Sequence, residues 1–216
     1  MKIAFTLTLA LAGATFAAQA QEIKGDAARG ATLNATCIGC HGISGYQASF
    51  PEVYRVPAIS GQNDKYIVAA LNAYKKGDRK HATMRATAAS LSEQDMADLA
   101  AYYSTHGGAP AATTEGKAPP PDVAALLAKG ACASCHGEQF NKPIDGAYPK
   151  IAGQYPDYLF SALKSYKVED NPKVGRNNAI MSAQVKQFSN KELKAIADYL
   201  GSLPANVRTI AQSKFR

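Results

Sequence analysis

Tryptophan is absent from this 216-residue chain and phenylalanine occurs only seven times, while alanine is frequent. A domain of about 90 residues with that composition has little large apolar surface from which to close a core. The interior of such a domain has to be completed by something other than its own side chains. Long hydrophobic runs are also missing, with one exception. Ile3 to Ala14, behind Lys2, is apolar but shorter than the ~20 residues needed to cross a bilayer as a helix. It is followed by Ala18-Gln19-Ala20, the small-x-small pattern cut by signal peptidase. Residues 1–20 therefore read as an export signal cleaved after Ala20, with an uncleaved anchor as the alternative. Acidic residues are fewer than basic ones, 17 against 24, for a formal net charge of +7. Export disfavours nucleic acid as the reason for that excess. The run Lys75-Lys76 and Arg79-Lys80 reads either as an ordinary solvated face or as a face for acidic partner proteins or anionic lipid.

Cysteine is scarce as well, and all four copies fall in two pentapeptides. Cys37-Ile38-Gly39-Cys40-His41 recurs as Cys132-Ala133-Ser134-Cys135-His136. Cys-x-x-Cys-His is the attachment pattern of c-type haem, in which two thiols add across the vinyl groups and the next residue supplies an imidazole to the iron. The spacing brings both sulfurs to neighbouring corners of one macrocycle and leaves the histidine under the ring. Zinc ribbons place their Cys pairs roughly 15 to 20 residues apart, far closer than Cys40 and Cys132. A redox dithiol needs no adjacent histidine and gives no reason for the repetition. Two covalently bound haem c groups are the expected cofactors, one completing each interior, and thiols consumed in thioethers form no disulfides in an oxidising compartment.

The repeat extends well beyond these motifs. Pro57-Ala58-Ile59-Ser60-Gly61-Gln62 matches Pro149-Lys150-Ile151-Ala152-Gly153-Gln154, and Ile67, Ala70, Leu71 and Tyr74 match Leu159, Ala162, Leu163 and Tyr166 as helical core stripes. Met84, Leu91, Ser92, Leu99 and Tyr102 then match Met181, Phe188, Ser189, Ile196 and Tyr199. Ser92-Glu93-Gln94-Asp95 and Ser189-Asn190-Lys191-Glu192 resemble capping boxes opening a final helix, which should stop near Gly107 and Pro204. Asp26 is read as the N-cap of a helix running through Ala27 to Ala35 and delivering the first cysteine, Asp122 as the N-cap of a helix through Ala124, Leu126 and Leu127, and 42–56 as loop. Residues 107–121, rich in Gly, Ala, Thr and Pro, read as a linker between domains at 21–106 and 122–216.

The iron's second axial position decides between electron transfer and chemistry at an open metal. A thioether fills that position while favouring ferrous iron. Met84 and Met181 occupy equivalent places ahead of the final helices, on what reads as loop, and are the candidate ligands. Met96 shares an apolar stripe with Leu99 and Tyr103 and reads as core. His81, three residues before Met84, is the competing ligand, but its counterpart is Asn178. His106, at the end of the final helix of the first half, reads as a surface or C-terminal helix residue.

Paired Cys-x-x-Cys-His sites, paired Pro-x-Ile-x-Gly-Gln segments and a repeated Met make the chain resemble the dihaem cytochromes c of the c4 type. The resemblance implies an all-α fold of two tandem class I cytochrome c domains related by pseudo-twofold symmetry, with haem edges meeting near the interface. It implies that the carbonyls of Pro57 and Pro149 accept the Nδ1 protons of His41 and His136. It also sets Gly30 against Tyr102 and Ala125 against Tyr199, with a wider crossing in the second half. The expected function is that of a monomeric periplasmic carrier, not an enzyme by itself, moving electrons from a quinol-oxidising complex to a terminal oxidase, with peripheral membrane association open. Two alternatives stand beside it. One is the haem subunit of a periplasmic dehydrogenase such as a sulfide-oxidising flavocytochrome, and the other is a haem peroxidase or gas-binding protein with one open iron.

Overall fold

The computed structural model describes residues 23–108 and 116–211. The expected leader and cleavage point and the middle of the expected 107–121 linker lie outside the described residues. The first half runs α1 (Ala27–Leu33), α2 (Ala35–His41), β1 (Gln47–Ala48), β2 (Tyr54–Arg55), α3 (Asp64–Lys76), β3 (Arg79–Lys80), α4 (Ala82–Ala89) and α5 (Glu93–Thr105). The second runs α6 (Pro121–Lys129), α7 (Cys132–His136), α8 (Pro156–Ser165), β4 (Gly175–Arg176), α9 (Ala179–Lys186) and α10 (Asn190–Ser202). The 42–56 stretch is not wholly irregular, because β1 and β2 pair antiparallel within it.

Local chemistry explains most of the boundaries. Asp26 accepts the backbone N–H groups of Ala28 and Arg29 and so opens α1. That helix stops at Leu33, and the buried Asn34 separates it from α2, so the first cysteine sits on a second short helix and not on a continuation of the first. Asp122 is not the cap expected of it. Pro121 occupies the first turn of α6, where a missing N–H costs nothing, and Pro120 is the capping position. Both final helices open with complete capping boxes, Ser92 with Asp95 and Ser189 with Glu192.

Each half has its own core. Ile67, Leu99, Ala100 and Tyr103 pack with Leu33, Cys37, Ile59 and Leu71 in the first. In the second, Val123, Leu127, Phe140, Leu159, Phe188, Leu193, Ile196 and Leu200 form a larger apolar cluster. Met96 is fully buried on α5, as a core residue should be. The halves are joined by backbone as well as side chains. β3 pairs antiparallel with β4 across the boundary, Arg79 opposite Arg176, and Ser60 exchanges backbone hydrogen bonds with Arg208 of the C-terminal segment.

Candidate haem sites and the interface between the halves

The helices α2 and α7 carry the two Cys-x-x-Cys-His motifs. His41 Nδ1–H donates to the Pro57 carbonyl at 2.8 Å and His136 Nδ1–H to the Pro149 carbonyl at 2.9 Å. A carbonyl only accepts, so each proton sits on Nδ1 and each Nε2 keeps a lone pair for a metal. Burial pushes both imidazoles below their ordinary pKa, and the neutral ring is the form that ligates. The nearby His81 acts in the same direction on His41. Burial raises the Cys37 and Cys132 thiols, the opposite of what an activated redox dithiol requires. The motifs lie in different halves, and among the described residues no three His, Cys, Asp or Glu side chains converge as a metal cluster.

Met84 and Met181 are not on loops. They lie in the first turns of α4 and α9, and both are half-buried. His81 and Asn178 cap these helices alike, His81 Nδ1 accepting the Met84 N–H at 3.3 Å and Asn178 Oδ1 the Met181 N–H at 2.9 Å. His81 is thereby given a structural duty that an amide performs equally well in the other half. Met181 and Cys132 border the same apolar cluster. His106 is the C-terminal helix residue of the two readings: it closes α5, stacks on Tyr102 with ring centroids 4.6 Å apart, and holds the Ser60 hydroxyl at 3.0 Å through Nδ1.

The interface brings Arg79 of the basic run and Tyr74 and Tyr166 of the helical stripes into one cluster with Tyr66, Tyr158 and Arg176. Arg79 Nη2 donates to the Tyr66 hydroxyl at 3.1 Å and Arg176 Nη2 to the Tyr158 hydroxyl at 3.0 Å. Each guanidinium also lies over the tyrosines of its own half, Arg79 on Tyr66 and Tyr74, Arg176 on Tyr158 and Tyr166. Burial tends to raise the Tyr158 phenol, yet the cations Arg176 and Arg79 outweigh it and bring the group below its usual range. Neither arginine has a carboxylate partner among the described residues. This corrects the reading of the basic run as one surface. Arg79 is turned into the tyrosines and Lys80 Nζ donates to the Asn171 carbonyl at 2.6 Å, leaving only Lys75 and Lys76 exposed. The cause is the β3–β4 pairing, which draws this stretch into the boundary.

These surroundings fit a group with a broad apolar face and carboxylates along one edge. Apolar walls are supplied by Leu33, Ile59, Leu71 and Leu91 in one half and by Ile151, Phe160 and Leu163 in the other. Two arginines lacking carboxylates offer anion donors at the boundary. The Tyr103 hydroxyl is buried against the Cys37 thiol and has no nitrogen or oxygen partner among the described residues.

A family model described as Cytochrome c matches residues 27–106 and 122–204, one copy over each half. The chain belongs to the cytochrome c family. Within it, the chain is of the dihaem c4 type: cytochrome c4 of Azotobacter vinelandii is 30% identical over 220 residues, covering 93% of this chain and 97% of that one. The reduced recombinant cytochrome c4 from Pseudomonas stutzeri superposes with a TM-score of 0.62 at 27% identity, over 83% of this chain and 99% of the other. A thiosulfate dehydrogenase electron acceptor of Thiomonas intermedia is 27% identical over 83% of this chain and 84% of its own. As a c4-type cytochrome the chain carries two covalently attached haem c groups and works in electron transfer with partner proteins. No helix among the described residues is long and apolar enough to cross a membrane.

Proposed function

We propose that this cytochrome is a monomeric periplasmic carrier that accepts single electrons from a quinol-oxidising complex and delivers them to a terminal oxidase. Haem c supplies the one-electron ferric–ferrous couple. Cys37 and Cys40, and Cys132 and Cys135, are the proposed thioether anchors. His41 with Met84 and His136 with Met181 are the proposed axial pairs, in domains at 21–106 and 122–216 joined by 107–121. The observation that carries the reading is the equivalence of the two sites: the same histidine–proline bond and the same methionine position, in the third residue of a capped helix. Two closed sites of one kind suit a relay and give substrate no coordination position, so the chain is proposed to have no enzymatic activity alone.

Mixing the reduced protein with oxidase-containing membranes tests the route. Rapid oxidation that slows as salt rises toward physiological strength, where charges are screened over about 8 Å, is the expected result. Failure of any oxidase to oxidise it at a useful rate sinks the route. A second reading rests on the similarity to a protein named as a thiosulfate dehydrogenase electron acceptor. Co-purification with a dehydrogenase across a large interface would favour that one.

A further inference from the structure

Gln62 and Gln154 stand at equivalent positions, each the last residue of a Pro-x-Ile-x-Gly-Gln segment, and both are 4% exposed. Each side chain serves both halves: within its own, Gln62 Oε1 accepts the Asn63 N–H at 3.0 Å and Gln154 Oε1 the Tyr155 N–H at 3.0 Å. Gln62 reaches across the boundary to Lys150, accepting its N–H at 2.9 Å and donating to its carbonyl at 2.9 Å. Gln154 does the same to Ala58, accepting its N–H at 3.0 Å and donating to its carbonyl at 2.8 Å. The glycine before each glutamine is what aims it. Gly61 and Gly153 have φ of +84° and +68°, and a Cβ there would lie 2.4 Å from the Asn206 carbonyl or 2.3 Å from the Ala205 Cβ. Their N–H groups are tied to the last helix of their own half, at Tyr103 and Leu200.

The residues gripped follow Pro57 and Pro149 directly. The N–H of Lys150 and the carbonyl of Pro149 belong to one peptide group, as do the N–H of Ala58 and the carbonyl of Pro57. Each of these peptides is therefore bonded at its oxygen by an imidazole and at its N–H by a glutamine from the opposite half. A peptide whose N–H is donating is polarised, and its oxygen becomes a better acceptor. A better acceptor draws on the Nδ1–H, enriches the ring and stabilises ferric over ferrous iron.

We propose that Gln62 and Gln154 are positioning residues that act crosswise: Gln62 tunes the redox centre of the second half through Lys150, Pro149 and His136, and Gln154 tunes that of the first through Ala58, Pro57 and His41. The inference rests on the reading of His41 and His136 as axial ligands. It gives the two centres a coupling route through the chain, independent of the distance between irons.

The test uses the holoprotein and the variants Gln62→Met and Gln154→Met, which keep length and lose the amide. Potentials are read by optical redox titration, and the histidine environment by the hyperfine-shifted Nδ1 protons of the ferric protein. Resonances are assigned to each half by their loss in Met84→Ala or Met181→Ala. Gln62→Met should shift the His136 proton and move the reduction equilibrium of the second haem about two- to fivefold toward ferrous, leaving the first within error. Gln154→Met should give the mirror result. Gln62→Asn, too short for both bonds but milder in the fold, should give the same crossed pattern with smaller size. Shifts confined to the variant's own half, or equal in both halves as a loosened interface would produce, overturn the proposal. Absence of a hyperfine-shifted Nδ1 proton for His41 or His136 in the unaltered protein would instead overturn the ligand assignment.

Discussion

The two halves solve one packing problem, the crossing of first and last helices, by different chemistry. In the first, α1 meets α5 at backbone distance: a Cβ on Gly30 would lie 2.1 Å from the Asp98 carbonyl oxygen and 2.8 Å from the Tyr102 Cβ. The contact is latched by Asp98, which has no exposed surface. It accepts from the Asp26 N–H at 2.7 Å and from Gln94 at 2.8 Å, and pairs with Arg29, which also reaches Asp95. In the second half Ala125, Ala124 and Ala195 stand in place of Gly30, Arg29 and Asp98. Ala125 is exposed, and α6 is held by the buried Val123 and Leu127. The α6-to-α7 connection differs too, with Ala131 at φ +44° where the first half uses Asn34. The same fold thus tolerates a polar, tight junction and an apolar, open one. Differences between halves are therefore better sought in these contacts than in the haem motifs, which are nearly identical.

The largest expected effect comes from putting bulk into the tight crossing. Gly30→Val should destabilise the first half by on the order of 3 kcal/mol or more, since the overlap is with backbone that cannot rotate away. Ala125→Val should change the second by less than about 0.5 kcal/mol. Thermal unfolding followed at each haem's spectrum separates the two, and equal losses would mean that the crossings are alike after all.

Removing the latch comes next. Asp98→Ala should cost about 1–3 kcal/mol by leaving the Asp26 N–H without a partner. Burial tends to raise the Asp98 carboxyl, but the bonds from Asp26, Arg29 and Gln94 outweigh it and hold it below the ordinary 3.8. A carboxyl depressed in the folded state adds stability that is complete above its unfolded value and lost as pH falls through the folded one. The capping carboxyls Asp95, brought down to about 2 chiefly by the Ser92 hydroxyl, and Glu192, lowered by Ser189, behave alike in both halves. Acidification below about pH 4 should therefore weaken the first half more than the second, and Asp98→Ala should narrow that gap. Parallel acid transitions in the wild type would contradict this account.

How much of this was legible in the sequence divides along the same line. Attachment motifs, the repeat and the capping boxes depend on short-range spacing, which a sequence displays. The position of Met84 and Met181 inside helices was missed because the caps that start α4 and α9, His81 and Asn178, do not match as residue types although they act alike. Asp122 lost its expected role to neighbouring prolines. The inward turn of Arg79 and the crosswise reach of Gln62 and Gln154 depend on contacts between copies. A repeat aligns such residues with one another and hides that each touches its opposite number's neighbourhood. A buried glutamine closing both copies of one motif was the available signal.

The smallest expected effect concerns Tyr103, which stands where the second half has Leu200. Its buried hydroxyl faces the Cys37 thiol with no nitrogen or oxygen partner among the described residues, and burial drives its pKa far upward. Tyr103→Phe should be neutral or stabilising by at most about 1 kcal/mol. A clear loss in denaturant unfolding would show that the hydroxyl is engaged in the holoprotein.

The central claim, two closed centres of one kind that pass single electrons, is tested most directly by a redox titration of the purified holoprotein followed optically in the presence of carbon monoxide. Two one-electron steps are expected, with a sulfur-to-iron charge-transfer band for each ferric centre and no rapid binding of the gas to either ferrous one. A single step, or a ferrous centre that binds carbon monoxide at once, would contradict the account and place an open iron in one half.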